Sequence, residues 1–112
     1  MAEEAESQVP EGAAVFPLIP PELGVNPLLL AVLHAVVFLE GSDEQIVDPI
    51  AADEARQFIA GYLQRLRGPH VQQVREDMKC LAEYARQAQW PKEQHRFFKE
   101  FLDDYAVEGD TP

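Results

Sequence analysis

The first 54 residues of this 112-residue chain contain no lysine and no arginine. They hold eleven of its twenty Asp and Glu, whereas residues 55 to 112 set nine acids against nine bases. The formal net charge of −11 therefore arises in the first half. Binding to a phosphate backbone depends on clustered cations that displace counterions, so no nucleic-acid partner is expected. Acidic surface ordinarily keeps a small protein soluble. The sharper reading is an acidic inhibitor or immunity-type protein that occupies a basic surface of a toxin or nucleic-acid enzyme.

Cysteine is nearly absent. Cys80 stands alone, which excludes an internal disulfide and favours a reducing, cytoplasmic setting. Glu3, Glu4 and Glu6 are the reverse of a signal peptide's basic start. The longest apolar run, Leu28 to Leu39, is interrupted by His34 and falls short of the roughly 18 residues of a membrane span. No membrane partner is expected.

Chemistry-bearing patterns are missing as well. His34, His70 and His95 lie on three different segments; no Glu-x-x-His pair or histidines one turn apart offer metal ligands. His34, set in apolar sequence, reads as a hydrogen-bonded core or interface histidine. A nucleophilic Cys80 would need a base and an electropositive setting, but Lys79 beside it points to a different helical face, and Cys80 reads as a small packing residue. Adjacent carboxylates such as Glu76 and Asp77 diverge by about 100° on a helix, and the six glycines are scattered rather than gathered in a phosphate loop. No catalytic residue, metal or cofactor is expected, and the chain reads as non-enzymatic.

What is present is proline at regular stations. Pro27, Pro49, Pro69 and Pro91 each stand where a helix can begin, since the missing N–H lacks an intrahelical partner there anyway. Asn26 and Asp48 suit N-capping, and Gly41 and Gly68 suit left-handed stops. The spacing predicts helices over 27–40, 49–67, 69–89 and 91–106, an all-α fold in which about four helices form a compact bundle. Residues 26–106 are the expected domain. Residues 1–12 read as a disordered acidic tail, 13–25 as an extended Pro-rich arm packed on the domain, and 107–112 as a disordered C-terminal tail.

Apolar stripes support these helices. Val71, Val74, Met78, Leu81, Ala85 and Ala88 form one; Phe58, Ile59, Tyr62, Leu63 and Leu66 a second; Phe97, Phe98, Phe101, Leu102 and Tyr105 a third. Arg75, Lys79 and Arg86 share a face of the third helix, either as a solvated surface or as a dock for the acidic first half of a second copy. Trp90 reads as a staple at the junction before Pro91. The first helix is apolar nearly all round and must be surrounded. This leads to the expectation of an interaction or assembly module, with a homodimer formed through whichever of Leu29, Val32, Val36 and Val37 faces outward. A small-ligand carrier or enzyme, with a pocket among Phe58, Tyr62, Phe98 and Tyr105, is the third reading.

Overall fold

The computed structural model describes residues 11–105 and 107. Four α-helices follow one another: α1 (Pro27–Gly41), α2 (Pro49–Leu63), α3 (Pro69–Gln87) and α4 (Lys92–Asp104). Proline opens the first three, and Asn26 and Asp48 accept hydrogen bonds from the Leu28 and Ala51 amides at 2.8 and 2.9 Å. These caps satisfy donors that the first turn leaves without partners. Pro91 instead occupies the capping position, so α4 starts one residue later than its spacing suggests.

The helices pack as two hairpins, α1 on α2 and α3 on α4. Leu33, Val36, Leu81, Ala85 and Phe101 form the centre of the core. The arm completes it from one side: Phe16, Ile19 and Val25 are buried, and Phe16 meets Phe98 edge-on with ring centroids 6.0 Å apart. Polar contacts fix the arm along its length. The Ala14 amide donates to Ser42 Oγ (2.9 Å), the Asp43 amide to the Gly12 carbonyl (2.8 Å), and the Asn26 amide to the buried carboxylate of Asp77 (3.1 Å).

Several expectations change. Gly41 is no left-handed stop; it is the last helical residue, and a Cβ there would lie 2.8 Å from the Cβ of Ala14. Close approach of the arm, rather than backbone freedom, requires glycine at this position. Gly68 does adopt positive φ. The second helix stops at Leu63, where the Arg67 guanidinium donates to the Gln64 and Leu66 carbonyls and so replaces the helical partners of the following turn. The third ends with Gln89 in a left-handed conformation, the Trp90 amide reaching back to the Ala85 carbonyl (2.9 Å) and the Gln89 amide to Arg86. This pair of bonds is a Schellman closure.

The C-terminal expectation is corrected at Val107, which is buried and donates its amide to the Leu102 carbonyl. Residues 108–112 and most of the expected acidic tail, residues 1–10, lie outside the described residues. Within the arm, Leu18 is 95% exposed although both Phe16 and Ile19 point inward. Strand alternation would put Leu18 on the face of Phe16; burial of Phe16 and Ile19, three residues apart, instead matches the three-residue turn of a polyproline II segment.

Candidate functional site

Three surfaces emerge from this packing. The first is an open cleft of about 890 Å³ between α1, α2 and the end of α4. At its base the Tyr105 hydroxyl donates to Glu40 Oε2 at 2.7 Å, and Arg56 Nε lies 3.4 Å from the same oxygen. The residues come from three helices or their caps, so the cluster ties α1, α2 and α4 together. Gln64 adds a bond from its amide nitrogen to the Tyr105 carbonyl. Ser42, Glu44, Asp53, Gln57 and Asp104 form the polar wall.

The electrostatics of this cluster favour holding over reacting. Burial, followed by the hydrogen bond to Glu40, pushes the Tyr105 phenol up to about 12, against a smaller opposing effect of Arg56. Arg56 is held more firmly protonated by its interaction with the Tyr105 hydroxyl, then by the charges of Glu40 and Asp53, with burial opposing. Neither group is poised to exchange a proton near neutral pH, where a general acid or base works best. Among the described residues no group of three or more His, Cys, Asp or Glu could hold a metal ion.

The second surface is the outer row of α2. Ile50, Phe58 and Tyr62 fall at multiples of four, with Glu54 between them, and are 75%, 69% and 62% exposed. The Arg65 guanidinium sits 4.8 Å above the Tyr62 ring. The third is a groove of about 290 Å³ between α3 and α4, floored by Met78, Ala82, Phe98, Leu102 and Val107. Arg75, Lys79 and Lys99 rise at its edge beside Asp103.

The residues singled out from sequence are distributed among these surfaces unevenly. Leu29 and Val36 belong to the chain's own core, and Val32 and Val37 are half-buried. The outward positions of α1 are Leu28, Ala31 and His34, so His34 is an exposed residue and not a core one. The pocket expected among Phe58, Tyr62, Phe98 and Tyr105 does not form: the first two face outward, and the last two are buried. Arg75 and Lys79 share the groove, whereas Arg86 pairs with Glu83 and lowers that carboxyl's pKa. His95 Nε2 lies 3.1 Å from the Trp90 carbonyl, and the Trp90 ring packs between Tyr84 and Phe98. Cys80, half-buried, approaches the Leu23 carbonyl with its sulfur at 3.9 Å.

Sequence reasoning missed the Tyr105–Glu40–Arg56 cluster and the role of Lys99. The available signal for Lys99 was its place one turn before Asp103, on the flank of the helix that carries Phe97, Phe98 and Phe101. No described helix is long and apolar enough to cross a membrane. In comparisons with known proteins, no protein-family model, no curated protein and no solved structure matches the chain.

Proposed function

We propose that this chain is a non-enzymatic protein–protein interaction module that engages a partner through the outer row of α2. One observation carries the reading: Ile50, Phe58 and Tyr62 stand exposed in a single row on a helix whose only fully buried residue is Ala52. A fully buried apolar side chain of this size contributes about 1.5 to 3 kcal/mol, so three left in water represent a substantial unused driving force. Aromatic anchors of this kind dominate binding energy at protein interfaces. The settled protonation of Tyr105 and Arg56 agrees with a holding role for the cleft.

A second reading, the acidic inhibitor of a basic surface, draws on Glu40, Glu44, Asp53 and Asp104 gathering along one cleft. The two readings use different faces of α2 and are separable. A photo-crosslinking residue placed at Phe58 should yield an adduct of defined mass in a native extract, and Tyr62→Glu should abolish it. The same probe at Glu83 should yield none. Equal labelling from both positions, or an adduct insensitive to Tyr62→Glu, would reject the α2 surface.

A further inference from the structure

The α3–α4 groove is a second contact surface, independent of the α2 row, and its occupant can be argued from the chain itself. Its floor is apolar and its rim carries Arg75, Lys79 and Lys99 against a single acid, Asp103, so this groove is locally basic in a protein of net charge −11. Such a groove suits a segment that is apolar in one place, acidic nearby and free of bases. The Pro-rich arm has this composition: Leu18 is 95% exposed, and Glu22, also exposed, follows four residues later. Leu18 does not enter the groove of its own chain, because its neighbours Phe16 and Ile19 hold the arm with that side chain outward.

We propose that the α3–α4 groove of one copy receives the arm of a second copy, with Leu18 seated on the apolar floor and Glu22 facing Lys79 and Lys99. The dimensions agree. Leu18 to Glu22, whose end enters a single 3-10 turn over Pro21–Leu23 rather than the extended chain expected of the arm, spans less than about 13 Å, and Arg75 to Ala82 covers about 10 Å along α3. Pro17, Pro20 and Pro21 already restrict the arm, which reduces the ordering entropy lost on docking. Phe98 contacts Phe16 of the arm and also lines the groove. The donor and acceptor patches are thus neighbours on one molecule, the arrangement that a reciprocal two-fold contact requires. The contact is small and joins two negatively charged copies, so the dimer is a weak, concentration-dependent one.

The test is sedimentation equilibrium of the full chain across a concentration series reaching high micromolar, with circular dichroism to confirm that each variant is folded. The wild-type mass should rise toward twice that of the monomer. Leu18→Glu should hold it at the monomer value. Glu22→Lys alone and Lys79→Glu with Lys99→Glu should each weaken association, and combining all three should restore it. Phe58→Glu with Tyr62→Glu should leave it unchanged, which separates this contact from the α2 surface. A wild-type protein that stays monomeric, a dimer indifferent to Leu18→Glu, a dimer lost with the α2 pair, or a charge reversal that fails to restore association would each overturn the proposal.

Discussion

The hydroxyl of Tyr105 donates to Oε2 of Glu40 across 65 positions of sequence, closing the end of α4 onto the end of α1. Tyr105 itself is only 5% exposed, with its ring 5.0 Å from that of Phe101. Tyr105→Phe should keep this ring packing and lose the bond, lowering stability by about 1 to 2 kcal/mol in chemical denaturation.

Burial of the phenol, reinforced by the same bond, predicts an alkaline limit. The phenol is raised in the folded chain from about 10 to about 12, so the folded state retains its proton when the unfolded chain has lost it. The resulting stabilisation is complete below pH about 10 and disappears as pH rises through about 12. Denaturation midpoints measured over this window should fall steeply for the wild type and less steeply for Tyr105→Phe.

Gly41→Ala should destabilise the protein by about 1 to 3 kcal/mol through overpacking, because the new methyl would meet Ala14 at 2.8 Å. Alanine is the better helix former, so the sign rests on that contact. In an Ala14→Gly background the same substitution should cost little or stabilise. Thermal melts of the four proteins in the cycle give the coupling directly.

Gln89→Gly should raise stability by about 0.5 to 1 kcal/mol, since Gln89 holds φ at 61°, a region that costs a side chain energy and glycine nothing. A lower melting temperature for the glycine variant would show that the Gln89 side chain contributes more than its backbone conformation costs.

Phe16 and Leu18 offer a comparison within the arm. Phe16→Ala removes a buried ring and should cost about 3 to 5 kcal/mol, whereas Leu18→Ala, at a 95% exposed position, should leave the denaturation midpoint of the dilute protein within error. Equal losses would mean that the arm is held by both faces.

The helix starts were legible because proline and capping side chains act locally, within a turn of the boundary they set. The α3 stripe was legible for a similar reason: Val71, Met78, Leu81 and Ala85 repeat at one period and all are buried. On α2 the apolar residues cover two faces, and spacing alone cannot say whether Ile59 and Leu63 or Phe58 and Tyr62 turn inward. Packing on α1 decides for the first pair. The same ambiguity governed α1, where nearly every residue is apolar; Leu29 and Val36 are buried in one cluster with Phe16, Ile19 and Val25 of the arm. The Glu40–Arg56–Tyr105 cluster has no local signature, for its members are joined only once the two hairpins meet.

The arm's attachments also set an order of events during synthesis. Its partners Asp77, Cys80 and Phe98 lie 51 residues or more downstream along the contacts that hold Asn26 and Leu23, and far beyond Phe16 itself. The arm leaves the ribosome before α3 and α4 and is therefore among the last segments to find its place. Until α3 and α4 have emerged, Phe16, Ile19 and the apolar flank of α1 have nothing to cover them, and a nascent chain of this kind presents a chaperone with a greasy, proline-rich stretch that carries no positive charge. Closing such distant contacts is slow relative to forming the hairpins, so the open state outlives the formation of the individual hairpins and is the stage at which the chain is most exposed to aggregation.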